Sequence, residues 1–296
     1  MLAYRHAFHA GNPADVLKHL VLIQVLRYMA LKDKPYTLID THAGAGAYRL
    51  DSNQARKRNE YQDGIGRLWN LTSSQPAARR DCRRAAGEQQ DYLQQVRQFN
   101  GPGSVLQQYP GSPALAMQLL RPEDRLRLYE LHSSDAPLLA ELVAGRRETA
   151  VMQADGFAAL RAELPPPSRR GVVLIDPSYE IKTDYNRVLT AVREGLSRFA
   201  EAVILVWYPQ LQRLEPREMV ERLKACAVQQ GRRGWLHARQ TFAAPDASGF
   251  GMMGSGMLVI NPPHSLLGTL RDSLPSLDEH LGRFDGAQHL LEHQAV

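Results

Sequence analysis

Cysteine is nearly missing from this 296-residue chain. Cys82 and Cys226 lie far apart and share no motif, which argues against a disulfide framework and a thiolate-built metal site. No stretch approaches the roughly 18 consecutive apolar residues of a membrane-spanning helix. The opening Met1-Leu2-Ala3-Tyr4-Arg5-His6 lacks the continuous apolar core of a signal peptide. A cytoplasmic protein with no membrane attachment is therefore expected. Phosphate-loop signatures are missing too. No Gly-x-x-x-x-Gly-Lys-Ser/Thr occurs, and after Gly44-Ala-Gly46 the third glycine position of a dinucleotide fingerprint is held by Arg49. No internal repeat or long low-complexity tract is evident.

What is present is the composition of a soluble globular protein, 44% hydrophobic and 23% charged. The length suits one large α/β domain with an insertion, or two modest domains. A net charge of +5 and a pI near 9.3 favour an acidic partner, nucleic acid first.

Asn12-Pro13-Ala14-Asp15 has the chemistry of a helix start: a capping side chain, a first-turn proline and an acid at the positive end of the dipole. Val16, Leu17, Leu20, Val21, Ile23 and Leu26 then form a helical stripe. Apolar, β-prone runs at 36–40, 126–130, 171–176, 202–207 and 256–260 have the continuous character of strands covered on both faces. Helical stretches are predicted over 113–120, 135–144, 183–199 and 216–230. Their alternation predicts a doubly wound α/β sheet.

Residues 50 to 100 interrupt this pattern. With Arg49 at their border they carry ten basic side chains against six acidic ones, including Arg79, Arg80, Arg83 and Arg84. A mainly helical, basic insertion is predicted there, suited to neutralising phosphates around a pocket together with Arg5 and Lys18.

Ligands of open α/β sheets bind at the carboxyl ends of the strands. There this chain places Asp40-Thr-His42-Ala-Gly44-Ala-Gly46, then Glu130, then Asp155-Gly156, then Asp176-Pro177-Ser178-Tyr179. Small residues admit a close backbone approach, Glu130 suits ribose hydroxyls and Asp155 suits an adenine amino group. A cofactor with ribose and adenine but no pyrophosphate fits, and S-adenosylmethionine is such a molecule. Asp-Pro-Ser-Tyr is close to the Asp/Asn-Pro-Pro-Tyr/Phe motif of amino-group methyltransferases, with Ser178 replacing the second proline. The Asp176 carboxylate and the Pro177 carbonyl could accept from both hydrogens of an adenine amino group and direct its lone pair outward. Tyr179 could stack on the base. DNA adenine methylation, glutamine methylation of protein and a catalytically silent RNA-binding protein on the same fold are the competing readings.

Over essentially its full length the chain resembles the RlmJ-type 23S rRNA (adenine-N6)-methyltransferases. The resemblance rests on Tyr4-Arg-His-Ala-Phe-His-Ala-Gly-Asn12, Asp15-Val-Leu-Lys-His19, Leu38-Ile-Asp-Thr-His42-Ala-Gly-Ala-Gly46 and Tyr109-Pro-Gly-Ser112-Pro. Glu130, Asp155-Gly156, Asp176-Pro-Ser-Tyr-Glu180, Trp207-Tyr-Pro209 and Gly254-Ser-Gly-Met-Leu-Val-Ile-Asn-Pro-Pro263 complete it. It implies a Rossmann-like class I methyltransferase sheet over 1–49 and 101–296, mostly parallel with a C-terminal antiparallel hairpin, and a helical insertion subdomain over 50–100. It implies 23S rRNA as substrate, with cofactor contacts at His19, His42, Gly44, Gly46, Ser112, Glu130, Asp155, Gly156 and Asp176. Catalysis falls to Asp176, Pro177 and Tyr179, and RNA contact to Tyr4, Arg5, His6 and Lys18. Lys18 would hold phosphate or help arrange the base. No metal and no obligate protein partner is implied; without a carboxylate-rich partner set, His6 and His9 are expected to hydrogen-bond rather than ligate.

Overall fold

The computed structural model describes residues 4–73, 85–101, 105–247, 249 and 251–296. Helix α1 (Pro13–Ala30) starts where the sequence places it, with the Asn12 side chain accepting from the Asp15 amide at 3.0 Å. It leads into β1 (Thr37–Asp40), then a small antiparallel ladder of β2 (Ala47–Arg49) with β3 (Gln108–Pro110). Between these lie α2 (Asn53–Arg58), α3 (Ile65–Ser73) and α4 (Ala85–Asn100). The chain continues through α5 (Ser112–Leu119), β4 (Arg125–Tyr129), α6 (Asp135–Leu142), β5 (Thr149–Met152), α7 (Gly156–Glu163), β6 (Gly171–Ile175) and α8 (Thr183–Arg198). It ends with β7 (Val203–Gln210), α9 (Glu215–Gln230), β8 (Trp235–Thr241), β9 (Gly254–Ile260), α10 (Leu266–Leu281) and β10 (Gln288–Gln294).

Eight strands form one sheet in the order β10-β8-β9-β7-β6-β1-β4-β5. The run from β7 to β5 is parallel, whereas β9, β8 and β10 attach antiparallel. This is the expected mostly parallel α/β sheet, with β8–β9 as its C-terminal hairpin. The central strands are apolar throughout because both faces are covered. Val172 and Leu174 of β6 face the core around α1, while Val173 and Ile175 face the core built by α7, α8 and α9. Strand order turns back at β1, which lies between β6 and β4, so a crevice opens at the carboxyl ends of these strands.

Two details depart from the sequence expectation. Helix α1 is buried nearly all round rather than along one stripe, because α4 and α10 cover the side turned away from the sheet. Asp15, Lys18 and His19 are thereby taken into the interior. Segment 50–100 also sends Ile65, Leu68, Tyr92, Leu93 and Val96 into the same core as α1. Arg79, Arg80, Arg83 and Arg84 lie outside the described residues.

Candidate active site

A cavity of about 580 Å³ lies at the carboxyl ends of the central strands. The three strand-end acids singled out from the sequence, Glu130, Asp155 and Asp176, reach this cavity by different loops, and the backbone fixes the first two.

Asp40 ends β1 and is buried. Its carboxylate accepts from the Ser112 hydroxyl at 2.6 Å and from the His42 amide at 3.2 Å. Burial pushes its pKa up to about 7, against the pull of those hydrogen bonds. Ser112 is the first residue of α5, and with its hydroxyl hydrogen given to Asp40 it offers the cavity an acceptor. Gly44 holds a φ of +59°, and a Cβ there would lie 2.3 Å from the Tyr48 hydroxyl, so only glycine fits. The Gly44 amide donates at 2.8 Å to Glu130, whose other oxygen accepts from the His132 amide at 2.6 Å. Burial raises the Glu130 pKa. Remaining lone pairs of this oriented carboxylate can accept from hydroxyl donors.

Asp155 caps α7 by accepting from the Phe157 amide at 3.0 Å, and its second oxygen pairs with Arg187. A Cβ on Gly156 would fall 2.0 Å from the Thr41 carbonyl oxygen, which explains the glycine at this backbone crossing. His42 packs edge-on to Phe157, with ring centroids 4.6 Å apart, and burial pushes its pKa down to about 3. It is a neutral ring at physiological pH.

Asp176 follows β6. Its Oδ2 accepts from the Lys18 ammonium at 2.6 Å, and the same ammonium donates to Asp15 at 2.8 Å. Burial alone would lower the Lys18 pKa, but the two carboxylates outweigh it and hold the amine well above its ordinary value. His6 joins the cluster through a 2.9 Å contact to Asp15, and the Tyr4 hydroxyl reaches His6 Nδ1 at 2.8 Å. Tyr4 is further placed by stacking on His9 and by its amide, which donates to Glu180 at 3.1 Å. A continuous polar line thus runs from Tyr4 through His6, Asp15 and Lys18 to Asp176.

Tyr179 holds a φ of +54°, the left-handed region that a bulky residue adopts at a cost of about 1–3 kcal/mol. Its hydroxyl donates to the Trp207 carbonyl at 2.7 Å, and its ring packs 4.7 Å from that of Tyr185. These contacts keep the strained turn in place and present the ring at the cavity wall.

The cavity therefore gathers Tyr4, His6, Lys18, His19, His42, Gly44, Ser112, Glu130, Asp155, Gly156, Asp176, Pro177 and Tyr179. Gly46 and Arg5 stand apart from this lining. Gly46 packs against Leu139 and Leu142 at a φ of +78°, and Arg5 pairs with Asp135 at 3.2 Å. A buried Lys18 held by two carboxylates is poorly placed to grip a phosphate; its geometry suits the alternative role of arranging the reacting groups. Sequence reasoning missed Asp15 as a site residue and assigned it only to the helix start. Its three-residue spacing from Lys18 was the available signal, since such pairs share a helix face. Asp40 was missed as a functional acid because a strand-end Asp reads equally well as a turn former. His9 pairs with Glu60 at 3.0 Å, and no group of three or more potential metal ligands occurs among the described residues.

Comparison with known proteins places the chain in a family. The family described as "Ribosomal RNA large subunit methyltransferase D, RlmJ" matches residues 33–291. Ribosomal RNA large subunit methyltransferase J of Escherichia coli K12 is 43% identical over 281 residues, covering 95% of this chain and 94% of that protein. Its Haemophilus influenzae counterpart is 41% identical over the same shares. A crystal structure of the Legionella pneumophila protein LPL1258 superposes with a TM-score of 0.83 at 30% identity, covering 96% of this chain and 98% of that one. The chain belongs to the RlmJ family of ribosomal RNA large subunit methyltransferases.

Proposed function

We infer that this protein transfers a methyl group from S-adenosylmethionine to N6 of an adenosine in 23S rRNA. The observation that carries the reading is Asp176-Pro-Ser-Tyr at the end of β6, with Asp176 held by a buried ammonium and facing the cavity that also contains Glu130 and Asp155. The residues fit the cofactor. Glycine-lined backbone at Gly44 and Gly156 leaves no room for side chains, Glu130 is held by backbone amides with lone pairs to spare for hydroxyls, and His19 Nε2 is a buried polar atom with no partner among the described residues.

Bound S-adenosylmethionine supplies an electrophilic sulfonium methyl. The chain's own part is positioning and charge. Oδ1 of Asp176 receives no hydrogen bond from a described residue and can accept from the adenine amino group, while Lys18 fixes Oδ2. The Pro177 carbonyl accepts the second hydrogen, and proline's fixed φ holds it on course. Asp176 would also take the proton that N6 sheds once it carries the methyl group. Tyr179 stacks on the base, which must be unpaired or extruded to reach the site. Tyr4 and His6 border the entrance for RNA. The chemistry requires no metal.

Isotope-labelled S-adenosylmethionine offered with deproteinised 23S rRNA and duplex DNA tests the reading. Label is expected in RNA alone, as N6-methyladenosine. Label in DNA alone would favour a DNA enzyme, and none in either a silent binder. Asp176→Ala should lower kcat by at least about 10²-fold with the fold intact.

A further inference from the structure

His19 carries a relay that reaches out of the cavity into the inserted segment. Its Nδ1 lies 2.7 Å from the Tyr109 hydroxyl, which lies 3.0 Å from the hydroxyl of Tyr92 on α4. All three side chains are almost fully buried. Tyr92 and Tyr109 have no other side-chain partner among the described residues, and His19 Nε2 has none.

Counting protons fixes the direction of this relay. If Nδ1 carried the imidazole proton, it would donate to Tyr109, and one tyrosine hydroxyl hydrogen would be left in the core without an acceptor. If instead Tyr92 donates to Tyr109 and Tyr109 donates to Nδ1, every donor is used except the hydrogen on Nε2. Each pattern leaves one donor unmet, but the first strands it in the core, whereas the second places it on Nε2 of His19, which lines the cavity and can meet a ligand acceptor there, so the second pattern prevails. Burial keeps the ring neutral, with its pKa pushed down to about 3. His19 therefore offers the cavity a single N–H.

We propose that Tyr109, backed by Tyr92, is a positioning residue that locks His19 as an Nε2–H donor for the carboxylate of the cofactor's amino-acid moiety. This rests on the cofactor reading above. It follows from the placement of that unmet proton together with the commitment of the neighbouring cation: Lys18 is already spent on Asp15 and Asp176, leaving His19 beside it as a donor for an acidic group. It also ties segment 50–100, through Tyr92, to cofactor binding as well as to the surface.

Imidazole ¹⁵N spectra of the full-length protein read the tautomer without any ligand. The expected spectrum has a protonated Nε2 and a hydrogen-bonded, unprotonated Nδ1 at His19; a protonated Nδ1 would overturn the proposal. Titration with S-adenosylhomocysteine should move the Nε2–H resonance, and 5′-methylthioadenosine, which lacks the carboxylate, should not. Tyr109→Phe should weaken S-adenosylhomocysteine about tenfold, roughly 1.4 kcal/mol, and leave 5′-methylthioadenosine affinity unchanged. Tyr92→Phe should act in the same direction and less. Equal losses for both ligands would mean a merely structural role and overturn the proposal. Tight S-adenosylhomocysteine binding with an unmoved Nε2–H would also overturn it while leaving the cofactor reading intact. Failure of both ligands to bind the unaltered protein would overturn the cofactor reading itself and the ligand half of the proposal.

Discussion

Between Asp15 and Asp176, the Lys18 ammonium is the counter-charge for two carboxylates that are themselves largely buried. Removing it leaves them unbalanced in a low-dielectric interior, a change that typically costs about 3–5 kcal/mol. Lys18→Met is accordingly expected to lower the urea midpoint and to depress kcat. Adding Asp15→Asn should restore part of the midpoint but not the rate, since Asp176 still lacks its partner. A double variant that recovers full turnover would remove Lys18 from the positioning of Asp176. The tetrapeptide 176–179 and the strand-end acids were legible as chemistry because each residue type is unusual after a buried apolar strand. Asp15 and Asp40 were not, since their neighbours His6 and Ser112 are brought to them by packing.

Helix α1 carries the cluster in its first two turns, so its amino terminus controls the site. The Asn12 cap accepts from the Asp15 amide and its amide group donates to Glu60 at 3.1 Å, joining α1 to the segment after α2. Asn12→Ala should destabilise the protein by about 1 kcal/mol and reduce kcat/KM, read from urea unfolding and single-turnover assays. A fall in stability without any kinetic effect would show that cap and cluster are independent. At the start of α7, Gly156→Ala brings a methyl group into the Thr41 carbonyl and should weaken S-adenosylhomocysteine by more than tenfold, measured by calorimetry. Five apolar strands and five of the helices were visible from composition and period. The three-residue strands β2 and β3 were not, nor were the half-buried β5 and the polar edge strand β10, whose pairing is decided by partners distant in sequence.

At the scale of the molecule, burial makes stability depend on pH. His19 and His42 are pushed down to about 3 and His237 to about 4, against an ordinary value of 6.5. Between these limits the unfolded chain binds protons that the folded chain refuses, so stability falls as pH drops below 6.5. Asp40 acts oppositely. Raised from 3.8 to about 7, it holds a proton that the unfolded chain has lost, and its contribution declines as pH rises through that interval. Glu130 and Asp184 are raised in the same sense but less far, and the three imidazoles outweigh these carboxyls. The urea midpoint is expected to be lower at pH 5 than at pH 7.5, and His237→Gln, remote from the cavity, should flatten that slope by up to about 1.4 kcal/mol per pH unit. An unchanged slope would show that His237 titrates normally.

Sequence by itself determined the alternation of apolar strands and helices, the parallel core of the sheet and the order in which acids arrive at the strand ends. These follow from local periodicity and from residue chemistry carried along the chain. Tertiary structure alone decided that Lys18 neutralises Asp176 across 158 positions. It likewise decided that α1 is covered on all sides and that Tyr92 reaches His19 through Tyr109. Charge pairing and desolvation act through space, and a linear pattern does not record which groups folding will leave without water.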